Sequence, residues 1–120
     1  MSNRDLILLL EDMLESAMKI KRYTVHLNYD SFLDDEKTID AVVRNFEIIG
    51  EAANRIVPEF RILNADIDWK RIRGFRNRIV HDYFGIDYEI VWTIIENDLD
   101  NLIKQIELVI SNYQSEYKGT

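Results

Sequence analysis

Residues 66–85 read DIDWKRIRGFRNRIVHDYFG, and the fold turns on this stretch. Trp69, Ile72, Phe75, Ile79, Val80 and Tyr83 recur at helical spacing, which predicts a helix opening at Asp66 or Asp68 as N-cap and running to about Tyr83. Gly85 then supplies a C-terminal stop. On a wheel of about 100° per residue the apolar positions cover roughly half the circumference, wide for a helix that faces one core. Arg76 falls near the middle of this arc, and Asn77 and His81, four apart, share its edge. A guanidinium placed there must find a partner or line a cleft that an anion enters.

Outward from this stretch the rest is also helical. Leu6, Leu9, Leu10, Met13, Leu14, Ala17 and Ile20 mark a first helix from about Asp5 to Thr24, and Asn28-Tyr29-Asp30 reads as a loop. Ile39, Val42, Phe46, Ile49, Ala53 and Ile56 mark a second, from Asp34 or Asp35 to Val57, ended by Pro58. Gly50 sits in its middle, costly unless another backbone comes close. A last helix starts at Asp87 as N-cap, with a stripe from Val91 to Tyr113, and frays into a polar tail ending Lys118-Gly119-Thr120. Asp98 falls inside that stripe, which predicts pairing with Arg73 or Arg76. Long helices with short connections predict one all-α domain over residues 1–120, an antiparallel four-helix bundle.

Composition narrows the function. The 120 residues are 47% hydrophobic, enough for a core, and contain no cysteine, which removes disulfides and thiolate chemistry. The run Leu6–Leu10 after Arg4 resembles a short signal peptide, but Glu11-Asp12 stop it and no small-residue cleavage site follows. No segment approaches the roughly 18 apolar residues of a membrane span, so a cytoplasmic protein without membrane contact is expected. The net charge of −7 argues against general nucleic-acid coating. Yet Lys70, Arg71, Arg73, Arg76 and Arg78 crowd into nine residues, a local basic patch suited to a specific phosphate site.

His81 falls in the last turn of the expected helix, where the dipole favours imidazolium and proton transfer. Read on residues alone, other assignments stay open. An arginine on a broad apolar face is most often a packed stem, and a histidine near a helix end is most often a cap. The two histidines stand far apart with no HExxH, so no metal site is expected. No cofactor is implied, as there is no Gly-rich phosphate loop and no GxSxG nucleophile.

The segment Arg76-Asn77-Arg78-Ile79-Val80-His81-Asp82-Tyr83 resembles the Arg-x4-His-x-Tyr signature of HEPN domains, specifically the HepT-like toxins. Gly50-Glu51-Ala52, Trp69, Phe84-Gly85 and Val91-Trp92 match other features of that family, and the resemblance covers essentially the whole chain. It implies a homodimeric, metal-independent endoribonuclease that acts as the toxin of a toxin–antitoxin pair. Its partners would be an RNA substrate and a minimal nucleotidyltransferase antitoxin that silences it by moving AMP onto Tyr83. In that reading His81 is the general acid/base, Arg76 stabilises the phosphate and its transition state, and Asn77 supports them. The alternative is a non-catalytic module of the same fold that binds a nucleotide or the nucleotidyltransferase.

Overall fold

The structure, a computed structural model, describes residues 1–118. The described residues are almost entirely helical: α1 (Asn3–Thr24), α2 (Tyr29–Leu33), α3 (Glu36–Arg55), α4 (Pro58–Leu63), α5 (Trp69–Arg73), α6 (Phe75–Ile79), α7 (Tyr88–Asn97) and α8 (Leu99–Lys118). Between α6 and α7 stands a two-stranded antiparallel ribbon, β1 (Val80–His81) with β2 (Gly85–Ile86). The fold is therefore the all-α one expected, but its four helical paths are interrupted. Gly119 and Thr120 of the expected polar tail lie outside the described residues.

Each interruption has a local cause. Asn28 and Ser31 form a reciprocal capping box, so the expected loop is instead the start of α2. Pro58 ends the path of α3 and also opens α4, since a first-turn proline loses no intrahelical bond. Gly74 splits the motif helix into α5 and α6: it favours the helix least, and a Cβ there would lie 3.3 Å from the carbonyl oxygen of Lys70. Asn97 ends α7 and Asp98 separates it from α8, both being weak helix formers. At the start of α3, Asp35 accepts from the Thr38 hydroxyl and backbone N–H. These bonds hold its carboxyl below the usual carboxylate range.

The core lies between α1, α3 and the C-terminal helices. Leu10, Ile20, Phe32, Val42, Phe46, Ile49, Val91 and Ile94 are fully buried. Lys21 near the end of α1 pairs with Asp100 near the start of α8, while the Tyr113 hydroxyl of α8 donates to Asn3 at the start of α1. These two contacts, at opposite ends, make α1 and α8 antiparallel. Phe75 of α6 meets Phe46 of α3 edge-on, ring centres 5.2 Å apart. That buried pair pins α6, and truncating Phe75 to alanine would cost about 3–5 kcal/mol.

The broken motif helix also disposes of its over-wide apolar arc. Trp69, Ile72, Phe75 and Ile79 are all buried within one chain, because the two short helices on either side of Gly74 each turn their apolar side inward. Of the arc, Val80 stays half-buried and Tyr83 is left out, 95% exposed, as is its neighbour Phe84 at 90%.

Candidate active site

The site is built on the approach of α5 to Gly50. A Cβ at Gly50 would stand 3.3 Å from the Ile72 carbonyl oxygen and 3.7 Å from that of Arg73. The mid-helix glycine thus earns its place by letting the α5 backbone sit on α3. This seats the basic stretch, and the tertiary contacts then sort its cations.

Arg71 Nη2 lies 2.8 Å from Asp98 Oδ2. The same oxygen is buried and receives no well-directed hydrogen bond, so the contact is ionic rather than a formed N–H···O bond. Asp98 does pair with the motif segment, as its place in the stripe requires, but with Arg71 in place of Arg73 or Arg76. The break at Gly74 rotates the segment, so a wheel drawn through it points to the wrong arginine. Arg73 Nε instead donates to Asn54 Oδ1 on α3 at 2.7 Å. Arg76 is exposed and has no acidic partner among the described residues.

His81 is not in a helical turn. The helix ends at Ile79, and His81 lies in β1 opposite Gly85. Asp82-Tyr83-Phe84 form the tip, with the Phe84 N–H donating to the His81 carbonyl at 3.1 Å. Gly85 takes φ +79°, the left-handed position that closes such a three-residue hairpin loop. It is a stop, but of a hairpin and not of a helix. The dipole argument for His81 therefore does not apply. The ring's charged neighbour is Asp87, whose Oδ2 is 3.5 Å from His81 Nε2. Asp87 Oδ1 accepts from the Ile90 N–H at 3.1 Å, so the residue is also the N-cap expected for the last helix.

Asn77 is exposed, and no hydrogen bond joins it to His81 among the described residues. Its four-residue spacing required a continuous helix, which ends two residues short of His81. The residue that does face His81, Asp87, escaped the sequence reading. The signal was there: a glycine fit for a left-handed turn, flanked by Val80-His81 and Ile86-Asp87, is also a hairpin pattern. Tyr83 is held on the same hairpin as His81 with its ring in solvent.

The site is thus an open edge of the fold. It offers an exposed guanidinium at Arg76, an imidazole beside a carboxylate, and two exposed aromatic rings. No three His, Cys, Asp or Glu side chains gather as metal ligands among the described residues. No described helix is long and apolar enough to cross a membrane.

Known proteins resemble this chain over most of its length. The family model described as "Ribonuclease HepT-like" matches residues 13–109. A candidate RNase of Methanocaldococcus jannaschii is 38% identical over 116 residues, 97% of this chain and 96% of its own length. A second from the same organism is 39% identical over 109 residues, 91% and 100% of the two chains. The probable ribonuclease HepT of Thermococcus cleftensis is 36% identical over 98 residues, 82% and 89%. No solved structure matches the chain significantly. With the motif on an all-α scaffold and a family match across most of its length, this chain belongs to the HepT-like ribonuclease family.

Proposed function

We propose that this protein is a metal-independent endoribonuclease, acting in the cytoplasm as the toxin of a toxin–antitoxin pair. The observation that carries the reading is the His81–Asp87 pair, held on a hairpin that follows directly from the helix bearing Arg76. RNA brings its own nucleophile. Its 2′-oxygen bonds to the adjacent phosphorus as the bond to the 5′-oxygen breaks, leaving a 2′,3′-cyclic phosphate and a free 5′-hydroxyl. His81 accepts the proton of the 2′-hydroxyl, and an imidazolium returns one to the leaving oxygen. Arg76 binds the phosphate and offsets the charge of the crowded phosphorane. Asp87, 3.5 Å from the ring nitrogen, orients the imidazole for these transfers. Asn77 stands one residue from Arg76, where its amide serves the phosphate rather than the imidazole.

One chain supplies a single motif histidine. A symmetric homodimer would place two at one composite site, one as base and one as acid, and would cover Phe84. AMP on Tyr83, transferred by a minimal nucleotidyltransferase antitoxin, would put an anion beside the cationic site and exclude substrate phosphate.

The test compares wild type with His81→Ala on RNA in excess EDTA. Losing a general acid–base costs about 10²–10⁴-fold in rate. The variant is expected to stay folded and lose at least the lower part of that range, with wild type leaving 2′,3′-cyclic ends. Cleavage only with added divalent metal, or equal rates for the two proteins, sinks the mechanism and favours a non-catalytic binding module.

A further inference from the structure

The basic stretch holds two cations for which neither the fold nor the proposed reaction has a use. Of Lys70, Arg71, Arg73, Arg76 and Arg78, Arg71 is occupied by Asp98 and Arg73 by Asn54. Arg76 serves the scissile phosphate in the reading above. Lys70 and Arg78 have no acidic partner among the described residues. Both line one shallow cavity of about 420 Å³ together with Asp68, Arg71 and Gly74.

Arg78 is the unusual member. Its Nη1 is buried from water and donates to nothing among the described residues. A guanidinium N–H removed from water without an acceptor is costly, and folded proteins leave few of them. Three cations border the cavity against the single carboxylate of Asp68, one oxygen of which already accepts the backbone N–H of Arg71 at 3.1 Å. Asp98 offsets Arg71 in part. The surplus is still positive, and an oxyanion is the ligand that such a surplus attracts.

We propose that this cavity is a second phosphate subsite, which takes a backbone phosphodiester of the RNA substrate other than the one cleaved. The assignment rests on the ribonuclease reading. A guanidinium beside an ammonium matches a phosphate's several oxygens. Arg76 and Arg78 stand two residues apart on α6, about 200° round its axis, so they serve different phosphates of a strand that crosses the helix. The acidic remainder of the protein repels nucleic acid, so holding a strand in register needs more than one local contact.

The experiment uses a fully 2′-O-methylated RNA oligonucleotide, which has no 2′-hydroxyl to attack and is bound without being cut. Its affinity is measured against salt for wild type, Lys70→Gln, Arg78→Gln and the double variant. For single strands the logarithmic salt slope is about 0.7 per neutralised phosphate. The double variant is expected to lose about that much slope. On cleavable RNA its loss falls mainly in KM rather than kcat. Lys70→Gln, at an exposed position that does not threaten folding, should move the slope in the same direction. Unchanged slopes in variants of a wild type that cuts RNA overturn the subsite alone. A wild type that binds and never cuts, with the slope still falling in the variants, overturns the nuclease reading and keeps the subsite. Failure of wild type to bind RNA overturns both. Binding of AMP that Arg78→Gln abolishes, with the RNA slope unchanged, assigns the cavity to a free nucleotide and overturns the RNA assignment.

Discussion

His81 Nε2 lies 3.5 Å from Asp87 Oδ2, while the other oxygen of the same carboxylate caps α7 through the Ile90 N–H. One side chain thus joins the candidate proton-transfer group to the start of the helix that follows it. The two roles separate by substitution. Asp87→Asn keeps an amide oxygen for the cap and removes the charge beside the ring. It should hold its stability and lose cleavage, by less than His81→Ala does. Asp87→Ala should lose cleavage similarly and also about 1 kcal/mol of stability with the cap. Urea unfolding and initial rates on both variants check this. Full activity in Asp87→Asn would remove Asp87 from the mechanism.

The ring of Tyr83 is 95% exposed on the hairpin tip, two residues from His81. A nucleotidyltransferase can reach such a hydroxyl without unfolding the site. The hydroxyl oxygen would bond to the α-phosphorus of ATP as pyrophosphate leaves. Coexpression with the cognate nucleotidyltransferase should add the mass of AMP to wild type and not to Tyr83→Phe, as read by intact-protein mass spectrometry. Equal labelling of the two would place the modification elsewhere.

Tyr83 and Phe84 together leave two large rings in solvent beside the site. A homodimer that joins two hairpin edges would cover Phe84 and leave the Tyr83 hydroxyl reachable. Light scattering at micromolar concentration should give twice the mass of the chain, and Phe84→Asp should shift the protein toward monomer. A monomeric wild type would leave His81 without its second copy and require another proton donor.

Gly50 and α5 are in backbone contact, with the Ile72 carbonyl oxygen 3.3 Å from where a Cβ would stand. Backbone cannot swing aside as a side-chain tip can. Gly50→Val should therefore push α5 off α3 and destabilise the fold by about 1–3 kcal/mol, as overpacking does. Cleavage should fall even where the protein remains folded, because Arg76 follows α5 by one turn. An unaltered unfolding midpoint would show that the approach is looser than the geometry implies.

Local sequence was enough for the helical fold, the stripes that form the core, the cap at Asp87 and the need for a close backbone at Gly50. It also marked Arg76, His81 and Tyr83 as a group through a family motif. These follow from local physics: an apolar period, a capping carboxylate and the absence of a Cβ are properties of neighbouring residues. What it misjudged was continuity. A wheel drawn through Gly74 assumes one axis, and the chain has two short ones, so the apolar arc closes within one chain and Asp98 meets Arg71. The same assumption carried the helix past Ile79 and put Asn77 under His81, where the backbone is extended and Asp87 stands instead. Which acid faces which base, and which arginines stand without an acid among the described residues, depended on tertiary packing. Those partners lie tens of residues apart or across a turn, and their distances depend on where α3 and α7 bring their backbones against the motif.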